Sequence, residues 1–227
     1  MPAAFLLALL LGLPEPALAT GPRELPTLPG RSARHDVTPR GDGPRPLQSG
    51  TYTAKVFPLG FRITVPAGWR GGQGQSRQFK QPTSAFGWIV LSQGTVARAR
   101  GAITIVTADG RTPSVRAVVA GLRTRGHGAS YGPTTPATIA GLRGSQFDGR
   151  VEGQGHVFVP FSPSLHVATF YADAFAFDAG ELFRVLVLDV RGKTVVIFLE
   201  TAALSPGQFP AFLDSATQIL GSLRLVG

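Results

Sequence analysis

The sequence predicts an α+β protein in which helices pack on an antiparallel sheet. From position 51 onward, short segments rich in β-branched and aromatic residues alternate with Gly- and Pro-containing breaks, as strands and turns do. Only "SVRAVVAGLR" (114–123) and "FPAFLDSATQIL" (209–220) carry apolar residues at helical spacing. Because the strands follow one another as hairpins and do not alternate with helices, we expect antiparallel pairing.

Residues 1–19, "MPAAFLLALLLGLPEPALA", predict a secretory signal peptide. Their apolar run of eleven residues, Ala3–Leu13, is shorter than the roughly 20 residues that span a bilayer. The segment ends in an A-x-A pattern, Ala17-Leu18-Ala19, as a cleavage site does. We therefore expect secretion after cleavage near Ala19, with no transmembrane span in the mature chain. The sequence has no Cys, so no lipidated cysteine can anchor it.

Residues 20–50 are predicted to form a disordered linker. They contain six Pro, five Gly and five Arg, and few large aliphatic residues. Such a segment buries too little apolar surface to offset the entropy lost on ordering. Residues 51–227 are then expected to form a single α+β domain.

The strand predictions follow the chain in order. "TYTAKVF" and "FRITV" form the first pair, and "AFGWIVLS" and "AITIVTA" the second. "ATIAGLRGSQFDGRV", "HVFVPF", "HVATFYA" and the closing "SLRLV" also have strand character. The strongest pair, "ELFRVLVLDV" and "KTVVIFLETA", flanks Arg191-Gly192, where Gly192 supplies the positive φ of a tight hairpin.

The two helices have recognisable starts. For the first, Thr112 is the expected N-cap, Pro113 the first helical residue and Gly126 the stop signal. For the second, Ser205 is the expected cap. The predicted buried faces are Val115, Val118, Val119 and Leu122 in the first helix, and Phe209, Phe212, Leu213, Ala216 and Leu220 in the second.

The order of these segments resembles a group of exported actinobacterial proteins related in fold to PsbP-like domains and to the mycobacterial lipoprotein LpqN. The resemblance covers about residues 51–227 and depends on "VPAGW", "AGLRG" and "DVRGK", which are packing and turn motifs. It implies an α-β-α sandwich built on an antiparallel sheet. It also implies a binding or assembly role and no enzymatic activity. The lipoprotein relatives carry an acylated cysteine that this chain lacks.

One motif suggests a serine hydrolase. Gly128-Ala129-Ser130-Tyr131-Gly132 matches G-x-S-x-G, and Asp148 followed by His156 or His166 would complete the order Ser, acid, His. A nucleophile elbow, however, needs a strand before the serine and a helix after it. Here the predicted helix comes first and "PTTP" follows. We therefore expect Ser130 to lie in a Gly-rich loop and the protein not to be an enzyme.

Other patterns that could indicate a cofactor or metal are incomplete. His35, His127, His156 and His166 form no metal-ligand spacing, so no metal or cofactor is predicted. Gly71-Gly72-Gln73-Gly74 and Gly153-Gln154-Gly155 complete no phosphate-binding motif, and we expect them to be turns. Trp69 and Trp88 are expected in the core. The acidic residues Asp173, Asp178 and Glu181 suggest no acid/base pair.

Charge is the remaining functional signal. The formal net charge is +9, and between Arg98 and Arg150 there are eight Arg and only two acidic residues. We predict that a basic face, represented by Arg98, Arg100, Arg116 and Arg123, contacts an anionic polymer or surface of the bacterial cell envelope. A protein partner, and a small molecule or lipid held in an apolar cleft, remain alternatives. Nucleic acid is not expected, because aromatic residues are not interleaved with the arginines.

Overall fold

The structure is a computed structural model. It describes residues 26–28, 30–32, 45–55, 57–78, 81–95, 98–108, 111–124, 128–153, 155–158, 160–161, 175–201 and 205–226. The predicted signal peptide, the strand "HVATFYA" and the stop residue Gly126 lie outside these ranges. For some strand residues, among them Arg98, Arg100 and His156, only the backbone is described.

A large, mostly antiparallel sheet forms the centre of the molecule. Its strands lie in the order β1-β5-β6-β7-β14-β13-β10-β8, with β2 also paired to β5 and β9 also paired to β10. Of these pairs, β1–β5 is parallel and the others are antiparallel. The strands are β1 Gly30–Ser32, β2 Arg45–Pro46, β5 Trp69–Gln78, β6 Gln81–Thr95, β7 Arg98–Ala108, β8 Ala129–Tyr131, β9 Thr135–Ile139, β10 Leu142–Val151, β13 Leu182–Val190 and β14 Lys193–Glu200.

Smaller elements cover this sheet. Strands β3 (Gly50–Ala54), β4 (Phe61–Val65) and β15 (Arg224–Leu225) form a second antiparallel sheet, and β11 (His156–Phe158) pairs with β12 (Phe175–Phe177). The helices are α1 (Val115–Thr124) and α2 (Phe209–Gly221), the latter preceded by a 3-10 turn at Pro206–Gln208. The predicted α+β class and antiparallel pairing are confirmed.

The two faces of the central strands belong to two different apolar clusters. Side chains alternate across a strand, so neighbouring residues point to opposite faces. On β14, Val195, Ile197 and Leu199 pack with α2 and the β3–β4–β15 sheet, and we call this side the α2 face. Val196 and Phe198 pack with α1 and the β11–β12 pair on the opposite side, the α1 face. This alternation places the two helices on opposite faces of the main sheet.

Several predicted details are confirmed. The β13–β14 hairpin turns at Arg191 and Gly192, whose φ angles are 54° and 78°. Both residues therefore adopt the positive φ that a two-residue hairpin needs. Trp69 is 3% exposed and its ring stacks on that of Phe212, with centroids 6.3 Å apart.

The prediction of a turn at Gly71-Gly72-Gln73-Gly74 is wrong, because these residues lie inside β5. A Cβ atom on Gly71 would come within 2.6 Å of Leu47 Cδ1 and 2.7 Å of Leu91 Cδ2. Glycine is therefore present here because neighbouring side chains pack directly on the strand backbone. The buried Gln73 amide donates to the Leu28 carbonyl, at 2.9 Å.

The described part of segment 20–50 differs from the predicted disordered linker. Leu28 and Leu47 are 1% and 9% exposed and belong to the cluster on the α2 face. Strand β1 pairs with β5 in parallel, and β2 pairs with β5 in the antiparallel sense. Burial of these two leucines stabilises the short strands around them, although the segment as a whole is polar. The composition of residues 20–50, from which the linker was predicted, does not show where two single leucines will be buried.

Candidate functional site

An open groove runs along α1 on the α1 face of the sheet. Its C-terminal section has a volume of about 770 Å³ and its N-terminal section about 520 Å³. Both sections are lined by Val115, Arg116 and Asp189, so they lie next to each other, and we call them together the α1 groove. The lining of the groove includes four arginines.

The start of α1 fixes one end of the groove. The Ser114 side-chain oxygen accepts a hydrogen bond from the Ala117 N–H at 3.3 Å, so Ser114 caps the helix and the predicted cap, Thr112, does not. Thr112 instead accepts a hydrogen bond from the Thr194 N–H through its Oγ1, at 2.7 Å. Thr194 in turn donates its hydroxyl to the Pro113 carbonyl at 2.5 Å. These contacts attach the beginning of α1 to strand β14.

The helix turns one side toward the core and leaves the other side in the groove. Val118, Val119 and Leu122 are buried against the α1 face, as predicted. Val115 is only partly buried, and Arg116 and Ala120 are exposed. The groove therefore contains a short apolar strip on the helix beside its positive charges.

The β9–β10 hairpin forms the opposite wall. It places Arg143 and Ser145 on the groove side of β10, facing α1. The hairpin turns at Ala140 and Gly141, which have φ angles of 52° and 82°. Gly144 lets β10 approach β13 closely, because a Cβ atom there would collide with the Val187 carbonyl oxygen. The pairing of β10 with β9 thus places Arg143 in this wall.

Arg123 is held more firmly than the other groove arginines. Its Nη1 donates to Thr134 Oγ1 at 2.6 Å. Its guanidinium carbon lies 5.7 Å from the centroid of the Tyr131 ring and 5.6 Å from that of Phe147, within cation–π range. Burial raises the pKa of Tyr131, and the nearby Arg123 charge partly opposes that rise. Arg123 is therefore positioned before any ligand arrives.

The charge of the groove is strongly positive. Arg111, Arg116, Arg123 and Arg143 line it, and Asp189 is the one acidic residue in its lining, which leaves a formal charge of +3 (four minus one). The Asp189 carboxylate accepts a hydrogen bond from the Gly192 N–H at 3.0 Å, within its own hairpin. Within the part of the chain that the structure describes, Arg111, Arg116 and Arg143 form no ion pair. All three side chains are exposed, so their charges are accessible to a ligand.

The structure brings together only part of the predicted basic face. Arg116 and Arg123 both line the groove. Arg98 and Arg100 belong to β7, and the structure does not describe their side chains. Arg111 and Arg143 line the groove but were not among the residues predicted for the basic face. The cluster of arginines between positions 98 and 150 contains both, but sequence spacing does not reveal that they meet across the groove.

The region around Ser130 does not form a catalytic triad in the described structure. Ser130 lies in strand β8, not in the predicted loop, and its Oγ is 3.5 Å from the Arg150 carbonyl. Both oxygens of Asp148, the candidate acid, accept hydrogen bonds from the Arg184 guanidinium, at 2.6 and 2.8 Å. That pairing raises the pKa of Arg184. The candidate acid is thus paired with Arg184.

The structure describes no side chain for most of the remaining candidates. The His35, His127 and His166 positions and Asp173 fall outside the described residues, as do the side chains of His156 and Trp88. In the described ranges no three His, Asp or Glu side chains form a group that could hold a metal. None of the helices described there is long and apolar enough to cross a membrane.

An acidic group lies at the far end of β14. Glu200 is partly buried on the same side of the strand as Phe198. Burial, followed by repulsion from the Glu181 and Asp178 carboxylates, raises the pKa of Glu200 to about 8. Burial also raises the pKa of Glu181, whose Oε2 accepts a hydrogen bond from the Asp178 N–H at 3.0 Å.

Fold and groove together describe an α+β protein with an arginine-lined surface groove. No protein-family model matches the chain, and no curated protein matches it. Among solved structures, it is similar to the solution structure of cyanobacterial PsbP (CyanoP) from Synechocystis sp. PCC 6803, with a TM-score of 0.41 and 11% identity. The match covers 83% of this chain and 100% of that chain. A likeness of this size concerns the fold and shows neither a family nor a function.

Proposed function

We propose that the protein is a non-enzymatic binding module that holds an anionic ligand in the α1 groove. One observation carries this proposal: four arginines line the groove and a single aspartate offsets them. Concave surfaces lined by one sign of charge concentrate oppositely charged ligands.

Arginine is well suited to such a role. Its planar guanidinium offers five N–H donors and binds phosphate or carboxylate oxygens in pairs. Arg123 donates one hydrogen bond to Thr134 and stacks on aromatic rings. Its side chain therefore loses little conformational entropy when a ligand binds. Arg116 and Arg143 approach the same space from opposite walls.

We further propose that the protein acts outside the cytoplasm, at the bacterial cell envelope. The support is the predicted signal peptide at residues 1–19. An exported chain should begin at Thr20, and its intact mass after secretion tests this. A secreted chain that retains Met1 would contradict the predicted cleavage. The finer parts of the resemblance, namely an LpqN-like α-β-α sandwich and an actinobacterial origin, also remain proposals.

The alternative of a lipid or small apolar ligand has less support. Val115, Val119 and Ala120 give the groove an apolar strip, but the groove is open and its rim is charged. Pockets for small apolar ligands usually enclose most of the ligand surface. A hydrolase using Ser130 is also less favoured, because Asp148 is paired with Arg184.

The proposal is tested with two double variants of the full chain that lose the same charge. Arg116→Ser with Arg143→Ser removes two groove arginines, whereas Arg62→Ser with Arg150→Ser removes two exposed arginines elsewhere. Binding to long-chain polyphosphate, polygalacturonate and anionic phospholipid vesicles is measured by calorimetry, each at low and moderate salt.

We expect at least one of the three probes to bind the unmodified chain. The groove variant should then lose about tenfold or more in affinity, since a charge-assisted contact contributes roughly 1.5–3 kcal/mol. The control variant should bind nearly as well as the unmodified chain, and binding should weaken as salt rises. Equal losses in both double variants would mean that net charge alone attracts the probe. That result, or no binding of any probe, overturns the proposal.

A further inference from the structure

We infer that the α1 groove is shaped for a linear polymer that carries repeated phosphate groups, bound lengthwise beside the helix. This inference rests on the proposed function and specifies its ligand. Two features of the groove lead to it: the spread of its charges and the residue types in its lining.

The positive charges are distributed along the groove and are not gathered at one point. Arg111 lines only the N-terminal section, Arg123 and Arg143 line only the C-terminal section, and Arg116 lines both. Arg116 and Arg123 are seven residues apart on α1, which is about 10 Å along the helix axis. The Arg123 guanidinium cannot swing toward Arg116 without leaving Thr134 and the two rings. A single small anion therefore cannot engage both ends, whereas an extended chain of anions can.

The apolar residues of the lining disfavour a membrane surface as the ligand. The apolar residues in the lining are Val115, Val119, Ala120 and Pro113. None of these has the large apolar side chain, Trp, Phe or Leu, with which interfacial helices insert into lipid.

The lining also disfavours recognition of nucleic-acid bases. No aromatic side chain is among the residues that line either section of the groove, although stacking on aromatic rings is what holds single-stranded bases. Arginine, by contrast, recognises phosphate oxygens through its paired donors. The groove is thus equipped to bind a phosphate backbone and not the groups attached to it.

The test compares chain lengths and the two ends of the groove. Affinities of the full chain for inorganic tripolyphosphate and for long-chain polyphosphate are measured by calorimetry at equal phosphate concentration and ionic strength. Arg111→Ser removes the charge of the N-terminal end, Arg143→Ser that of the C-terminal end, and Arg150→Ser is the control with the same charge change. Circular dichroism melting curves confirm that each variant folds.

We expect long-chain polyphosphate to bind at least about tenfold more tightly than tripolyphosphate, because engagement of both ends is multivalent. Arg111→Ser and Arg143→Ser should each remove about tenfold of that affinity, and Arg150→Ser should not. Tripolyphosphate should respond to one of the two end variants but not to both.

Other outcomes overturn the inference while leaving the proposed function in place. These are equal affinity for the short and long phosphates, tighter binding of polygalacturonate or anionic vesicles through the same arginines, or loss at one end only. A single-stranded oligodeoxynucleotide that binds more tightly than polyphosphate of equal charge would show base recognition and also contradict the inference. Failure of every anionic probe contradicts the proposed function as well.

Discussion

The two helices cover opposite faces of the same sheet in contrasting ways. Helix α2 buries five of its thirteen residues, including two phenylalanines, and the ring of Phe212 stacks on that of Trp69. Helix α1 buries three of its ten residues and leaves a charged groove beside it. One face is closed by aromatic packing, and the other is left partly open.

The closed face shows how tightly α2 is seated. The Phe212 ring stacks between those of Trp69 and Phe209, with both pairs of centroids 6.3 Å apart. Beneath it, Gly101 has a φ of 133°, and a Cβ atom there would come within 2.6 Å of the Phe212 ring. Packing of this kind contributes to stability but offers no space for a ligand. On the α1 face, the buried valines contribute to stability, and the exposed arginines are accessible to a ligand.

The largest predicted effect tests whether α2 serves stability alone. Phe212→Ala should lower the free energy of unfolding by about 3–5 kcal/mol, because it leaves a cavity between two aromatic rings. The measurement is urea unfolding followed by tryptophan fluorescence. Asp214→Ala, on the exposed side of the same helix, is the control and should change stability by less than about 0.5 kcal/mol.

Binding in the α1 groove should be unchanged in Phe212→Ala at temperatures where the variant remains folded. A variant that loses less than about 1 kcal/mol would show that α2 packs loosely. A folded variant that loses anion affinity would show that the two faces are coupled, which contradicts the division of roles.

The elements of both faces could be predicted from the sequence to different degrees. Apolar periodicity predicted most of the buried residues of α1 and α2, because burial imposes that spacing directly. It missed Ile219, and the predicted Val115 and Leu213 are only partly buried. It failed at β5, where glycines replace the side chains that carry the pattern. The prediction of Thr112 as the cap of α1, which rested on residue preference, was also wrong, because Thr112 accepts a hydrogen bond from Thr194 of β14. That contact joins residues 82 positions apart, and no local signal reports it.

Only the kind of side chain in the candidate site, and not its arrangement, could be predicted from the sequence. The cluster of arginines indicated a basic face, and Arg116 and Arg123 were identified on the helix. Arg143 joins them through the register of the β9–β10 hairpin and the pairing of β10 with β13. Register follows from packing of the whole sheet, so the sequence alone could not place Arg143 opposite α1. The stacking of Arg123 on two aromatic rings has the same origin.

A smaller effect distinguishes the two faces by their response to pH. Glu200 is the last residue of β14, and the buried residues of that strand are Val, Ile, Leu, Phe and Thr. The Glu200 carboxyl has a pKa of about 8 in the folded chain, whereas its ordinary value is 4.5. The folded state therefore binds the proton more tightly than the unfolded state. Stability is therefore highest below about pH 4.5 as far as this group is concerned, falls as pH rises toward 8 and then levels off.

Glu200→Gln should remove this dependence, because the amide keeps the shape of the protonated carboxyl and cannot ionise. At pH 9 the variant should be more stable than the unmodified chain by about 2–4 kcal/mol, since one pKa unit corresponds to about 1.4 kcal/mol. At pH 4 the two should differ little. Urea unfolding at several pH values measures the difference, with Glu152→Gln, an exposed carboxyl, as the control. A stability difference that is the same at pH 4 and pH 9 would show that Glu200 ionises with its ordinary pKa. Burial of its charge on the α1 face would then not lower the stability of the fold.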